Sequence, residues 1–315
     1  MNVRRPHISG AALAAVAVLG IGSLSACSTD SAAADGRFDV VASFYPMQFL
    51  AERIGGDHVH VTTLTEPGQE PHELELSLRQ RAELEESDAA LYLSGLQPSV
   101  DEAIEQAGLK TKIDAAHLTR LEDHGDVEHD HGGEEHPEEE EHSLDPHVWL
   151  DPVKYAEIAE GVGTAFAKAD PDHAADYRKN TDALVDRLHA LDTEFRDGLK
   201  NTKTKVFFTN HASFGYFAER YGLTQEAISG VDPESEPSPA RIRELREEAR
   251  ADGVTTVFYE TLVSGKTAKT LADDAGLRTD VLDPLEGLTD RSKGDDYFAV
   301  MEANLTALKK ALGAR

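Results

Sequence analysis

A single cysteine, Cys27, stands in the whole chain, so no internal disulfide can brace the fold. Positive charge is scarce as well: 31 Lys and Arg face 59 Asp and Glu, a formal net charge of −28. That balance argues against a nucleic-acid or anionic-membrane surface as partner, because both need a basic face, and it suits attraction of cations, although an acidic surface also serves plain solubility. Several chemical signatures are missing too. Gly265-Lys266-Thr267 looks like the end of a P-loop, but Glu260 stands where the first glycine should be. Gly161-Val162-Gly163 opens a dinucleotide-like pattern, yet Phe166 fills the last glycine position. His72-Glu73 is not followed by the second histidine of a helical zinc-protease motif.

What is present begins with Arg4 and Arg5 ahead of an apolar run over residues 8–24. The run is too short and too poorly flanked for a stable membrane span and has the layout of a secretory signal. Its end, Leu24-Ser25-Ala26-Cys27, resembles a bacterial lipobox, which would leave Cys27 lipidated at the mature N-terminus. Residues 1–27 are thus expected to be a lipoprotein leader and 28–37 a small, polar tether. The mature protein is placed on the extracytoplasmic face of a bacterial membrane, held by lipid alone.

From residue 38 onward, short apolar strand patterns alternate with helical ones. Strands are read at 38–43, 58–64 and 89–93, and helices at 47–54, 77–86, 99–107 and 153–168. A second series places strands at 205–209, 225–228, 254–259 and 278–282, with helices at 213–221, 239–251, 266–275 and 295–312. Such alternation predicts an α/β fold with mainly parallel sheets flanked by helices, where ligands bind beyond the carboxyl ends of strands. Between the two series, Ala174, Tyr177, Thr181, Leu184, Leu188, Leu191, Phe195 and Leu199 follow steps of three and four. They predict one helix over 171–199, roughly 40 Å long, acting as a stiff connector. The expected division is an N-terminal lobe at 38–169, a connecting helix at 170–200 and a C-terminal lobe at 201–315.

Residues 122–142 hold eleven acidic residues, five histidines (His124, His129, His131, His136 and His142) and no Lys or Arg. Too little is apolar to offset ordering entropy, so the segment reads as a mobile acidic loop with weak transition-metal capture. Directly after it comes Asp145-Pro146-His147-Val148-Trp149-Leu150-Asp151-Pro152, with the only Trp of the chain. Its prolines stiffen the backbone. A histidine held there between two carboxylates can have its ring and tautomer set in advance, as a metal ligand needs.

His72, His147 and His211 each occupy a loop near a strand end, and Glu286, with Asp283 as runner-up, lies in the corresponding loop near the C-terminus. Imidazole and carboxylate suit four-coordinate zinc. Spacing over so long a stretch does not by itself separate ligands from structural histidines. His58, His60, His117, His173 and His189 lack matching context and read as structural or surface residues.

Four segments carry a resemblance: Pro71-His72-Glu73, the Asp145 to Pro152 stretch, Asn210-His211-Ala212-Ser213-Phe214-Gly215-Tyr216-Phe217, and Leu282-Asp283-Pro284-Leu285-Glu286-Gly287. Together they resemble the zinc- and manganese-binding lipoproteins of ABC importers, the cluster A-I solute-binding proteins, from about residue 38 to the C-terminus. The resemblance implies two lobes joined by one backbone helix, with a single metal between them. By motif match, His72 and His147 come from the first lobe, and His211 and Glu286 from the second. Asp283 or water is the alternative fourth ligand. Manganese-type members tend to carry a carboxylate where His211 stands, so the resemblance points to Zn2+ before Mn2+. It further implies a monomeric high-affinity receptor, not an enzyme, serving an importer's permease and ATPase. The rivals are a secreted zinc hydrolase, for which no general base is evident, and an adhesin or zinc-buffering lipoprotein.

Overall fold

The computed structural model describes residues 36–124 and 144–314. The leader, Cys27, the tether up to residue 35, and His129, His131, His136 and His142 lie outside the described residues.

The first half runs β1 (Phe38–Ala42), α1 (Tyr45–Gly55), β2 (Val59–Thr63), α2 (Leu78–Glu86), β3 (Ala89–Tyr92), α3 (Pro98–Gln106), β4 (Thr111–Asp114) and α4 (Pro152–Ala169). Then comes α5 (Ala174–Leu199), entered through a 3-10 turn at Pro171–His173. The second half runs β5 (Val206–Thr209), α6 (Gly215–Tyr221), β6 (Thr224–Ala227), α7 (Pro239–Ala251), β7 (Thr256–Tyr259), α8 (Lys266–Ala275), β8 (Arg278–Val281) and α9 (Tyr297–Leu312). Two four-stranded sheets result, ordered β2-β1-β3-β4 and β6-β5-β7-β8, and every strand pair is parallel. The repeated order places the carboxyl-end loops of β2, β5 and β8, and the long connection leaving β4, where a shared site can form.

Two elements differ from the expectation. The strand β4 was not foreseen, because Thr111, Lys112 and Asp114 are polar and only Ile113 is buried, as suits an edge strand. Helix α1 starts at Tyr45 and takes Pro46 into its first turn, where a missing N–H costs nothing. Elsewhere the local chemistry matches. Ser77 and Gln80 form a reciprocal capping box at α2, and Asp151 and Asp296 cap α4 and α9.

Helix α5 packs on α1 and α4 of the first half and on α6 and α9 of the second. Its stripe of Tyr177, Leu184, Leu188, Leu191, Phe195 and Leu199 is buried, and one apolar cluster runs from Leu50 through this stripe to Met301. Each sheet keeps a further apolar cluster of its own, one around Val41 and Leu84, the other around Phe208 and Leu245.

Candidate metal centre

The Asp145 to Pro152 stretch follows the N-terminal sheet in sequence but is bonded into the C-terminal half. Trp149 donates its Nε1–H to the Pro284 carbonyl at 2.8 Å, and Tyr297 donates its hydroxyl to the Trp149 carbonyl at 2.7 Å. Arg220 from α6 grips both oxygens of Asp151 at 2.7 Å. The hydroxyl of Tyr216 reaches the Asp145 carbonyl at 2.8 Å. His147 is therefore fixed from both sides, at the entry to a 3-10 turn of Val148–Leu150.

Four side chains meet at this point. The Oε1 atom of Glu286 lies 3.4 Å from His72 Nε2, 3.3 Å from His147 Nε2 and 3.2 Å from His211 Nε2. The Nε2 atoms of His147 and His211 are 3.3 Å apart. His147, His211 and Glu286 are fully buried, and His72 keeps 10% of its side chain exposed. Among the described residues Glu286 Oε2 has no hydrogen-bond partner despite that burial. Bonds of about 2.0–2.1 Å arranged tetrahedrally set neighbouring ligand atoms roughly 3.3–3.4 Å apart. These spacings fit a cation of zinc's size at their centre.

Further carboxylates orient the rings. His147 Nδ1 lies 2.8 Å from Asp145 Oδ1, which also accepts from the His147 backbone N–H at 2.9 Å. His211 Nδ1 lies 2.6 Å from Glu260 Oε1, which accepts from the His211 N–H at 3.2 Å. A carboxylate can only accept, so in each neutral ring Nδ1 carries the proton and Nε2 turns its lone pair inward. Glu70 closes the first loop by accepting from the backbone N–H groups of His72 and Glu73. Burial and the nearby charge of Glu286 push the Glu70 carboxyl upward. Burial also opposes charge on Glu286, but His211, His147 and His72 hold it well below the usual carboxylate range.

All four sequence candidates, His72, His147, His211 and Glu286, are brought together. Asp283 is not: Oδ1 accepts from the Leu285 N–H at 2.9 Å, and Oδ2 accepts from Thr261 at 3.1 Å and Ser292 at 2.9 Å. It builds the turn that presents Glu286. There Leu285 has φ of 59°, the sole non-glycine positive φ among the described residues, a conformation that needs such a brace. Asp151 is likewise corrected. It caps α4 and holds Arg220 instead of flanking the His147 ring. Glu260 was missed as a functional residue. Its available signal is position, since it follows β7 directly, beside β5, whose following loop carries His211. His58, His60, His117 and His173 each pair with an aspartate away from the centre. His124, grouped by sequence with the acidic loop, packs instead against Tyr216 and Glu219.

Comparison with known proteins places this geometry among relatives. The model of the family described as "ZnuA: Zinc-uptake complex component A periplasmic" matches residues 40–311. The zinc-binding lipoprotein AdcA of Streptococcus pneumoniae is 38% identical over 297 residues, covering 91% of this chain and 58% of that protein. This chain thus spans under two thirds of the AdcA length. The high-affinity zinc uptake system protein ZnuA of Bacillus subtilis is 34% identical over 300 residues, covering 92% of this chain and 93% of that one. Among solved structures, the Zn(II)-bound ZnuA-like domain of S. pneumoniae AdcA superposes with a TM-score of 0.72 at 35% identity, over 88% of this chain and 99% of the domain. The laminin-binding protein Lmb of Streptococcus agalactiae, described as bifunctional in adhesion and metal transport, gives 0.77 at 29% identity over 87% of this chain and 99% of that one. No helix among the described residues is long and apolar enough to cross a membrane.

Proposed function

The chain belongs to the family of periplasmic A components of zinc-uptake complexes, and from that premise we propose that it is an extracytoplasmic receptor that captures Zn2+ between its two lobes. His72, His147, His211 and Glu286 are the proposed ligands. The observation that carries this reading is that Glu286 Oε1 lies 3.2–3.4 Å from the Nε2 of all three histidines and that the Nε2 atoms of His147 and His211 are 3.3 Å apart, lengths that match edges of a zinc tetrahedron. Three nitrogens and one oxygen favour zinc over manganese. Four protein ligands leave no open position for an activated water, which supports a receptor over a hydrolase. Lipid at Cys27 would keep the monomer at the membrane, where an ABC permease and its ATPase would receive the metal. The proposed lobes are residues 38–169 and 201–315, joined through 170–200.

Competitive titration with zinc and manganese tests the reading. One tight zinc site is expected, with manganese much weaker. His147→Ala and Glu286→Ala should each weaken zinc beyond the roughly 10–100-fold that loss of an outer partner costs. Tight zinc binding that ignored both substitutions would overturn the assignment.

A further inference from the structure

The described residues on either side of the acidic, histidine-rich segment are tied together. The Asp145 backbone N–H donates to the Glu122 carbonyl at 2.9 Å, and the Tyr216 hydroxyl bridges the two, 2.7 Å from the Glu122 nitrogen and 2.8 Å from the Asp145 carbonyl. Beside this tie His124 is folded onto the start of α6, with only 15% of its side chain exposed and its ring 4.3 Å from that of Tyr216. The fit depends on Gly215, where an added Cβ would run into the His124 side chain.

His124 Nε2 lies 2.8 Å from Glu219 Oε2, and Glu122, His124 and Glu219 each bring one ligand-type atom within 4.8 Å of the others. On the other edge of the ring, Nδ1 faces Asp145 Oδ2 at 3.2 Å. Asp145 is fully buried, and among the described residues neither of these two atoms has a well-aligned hydrogen-bond partner. The other oxygen of the same carboxylate orients His147. One carboxylate therefore stands behind two imidazoles, with the Nε2 of one turned to the metal centre and the Nε2 of the other to Glu219.

We propose that Glu122, His124 and Glu219 form a second, weaker site for a divalent transition metal, joined to the central site through the shared carboxylate of Asp145. This inference rests on the zinc reading of the central cluster and deepens it. A nitrogen and two carboxylates, with water completing the shell, suit Zn2+ or a similar ion. With metal on Nε2, His124 would donate Nδ1–H to Asp145, the usual outer support of a ligating histidine. Two features keep the site weak: Lys154 holds one Glu122 oxygen at 2.9 Å, and Glu219 is 61% exposed. The site also borders a cleft of about 650 Å³ whose walls include Glu226, Glu244 and Glu248 around Arg241, so cations are drawn towards it. His124 thus acts apart from the other four histidines of its segment, as a built waypoint beside the centre.

Equilibrium dialysis of the full chain against buffered Zn2+, beyond one equivalent, tests this. Wild type should take a second ion more weakly than the first. His124→Ala and Glu219→Gln should each weaken that second ion by more than about tenfold while the first stays tight. Excision of residues 126–142 behind a short linker should leave the second ion in place. Asp145→Asn should weaken both ions, with circular dichroism confirming the fold. The proposal is overturned if no second ion binds, or if it survives His124→Ala and Glu219→Gln and vanishes on excision. Failure of the central reading would look different, with His147→Ala sparing the tight ion.

Discussion

At the scale of single residues, the orienting carboxylates carry as much of the chemistry as the ligands. Glu260 is buried and holds His211 at both its backbone and its ring. Glu260→Ala should weaken zinc by about 10–100-fold with the fold retained, and Glu260→Gln, which keeps an acceptor but not the charge, should fall between. Isothermal titration would rank the three, and equal affinities would show that Glu260 orients nothing. Acid enters through the same groups. Burial works against charge on His147 and His211, yet Asp145 and Glu286 raise the first above its ordinary 6.5, and Glu260 and Glu286 raise the second well above it. A raised folded value gives stability that is full below the unfolded value and lost as pH rises through the folded one. Those protons must leave before zinc can bind. Zinc affinity should therefore climb with pH through 6.5 and beyond it, by up to roughly tenfold per unit for each proton displaced. Proton release measured in buffers of different ionisation enthalpy would check it; a flat affinity between about pH 6 and 8 would contradict it. The four ligand candidates were legible because they lie in short, distinctive segments. Glu260 was not, since its place just after a strand is its one cue and its partner is 49 residues away in sequence.

At the scale of elements, the contact between α4 and α5 explains a pattern that sequence alone left idle. Gly161 and Gly163 are spaced like part of a phosphate-binding turn, but both lie inside α4. A Cβ at Gly161 would meet Leu118, and one at Gly163 would meet Thr181 of α5. The small size of Gly163 lets α4 and α5 pack closely, and that of Gly161 seats Leu118 against α4. Thr181 is β-branched and its hydroxyl is tied to the Tyr177 carbonyl at 2.8 Å, so it cannot step aside. Gly163→Ala should destabilise the protein by about 1–3 kcal/mol through overpacking, despite the better helix propensity of alanine. A denaturant midpoint unchanged or raised would refute this. Helix α5 was legible over nearly its full length because its buried face repeats every three to four residues through Leu199. The edge strand β4 was hidden for the opposite reason, with one buried apolar residue in four giving no period to read. Proline or a capping side chain marks the start of α1, α2, α3, α4, α7 and α9 but not of α5, α6 or α8, and neither signal tells which strands are neighbours, since pairing depends on contacts between distant segments.

At the scale of the whole molecule, the two sheets are joined by more than the connecting helix. The Trp149–Pro284 and Tyr297–Trp149 bonds are buried, and Arg53 pairs with Asp296 at 2.7 Å. Burial pushes the Asp151 carboxyl upward even with the Arg220 guanidinium beside it, so that pair fixes position more than it adds net attraction. A single apolar cluster continues across both halves. Wide hinge opening would break all of these at once, exposing a buried carboxylate and several aromatic rings to water. The loop between β2 and α2 is tied down far less. It carries His72, the one ligand candidate with exposed surface; Glu70 closes it locally, Gln80 holds its start at the Leu64 carbonyl, and its far end is anchored by Ser99 donating to the Leu74 carbonyl and by the buried Leu74 and Leu76, which leaves the stretch around His72 the least tied. Metal entry and release should therefore proceed by movement of this loop while the lobes keep their relation. Hydrogen exchange with and without zinc should show the largest change in protection over residues 65–76 and little over 145–152. The radius of gyration should shift by less than about 1 Å, against roughly 19 Å for a folded chain of this size. A larger change in scattering, or loss of protection across the Asp145 to Pro152 stretch on zinc removal, would mean that the lobes separate and that these ties are not what holds them.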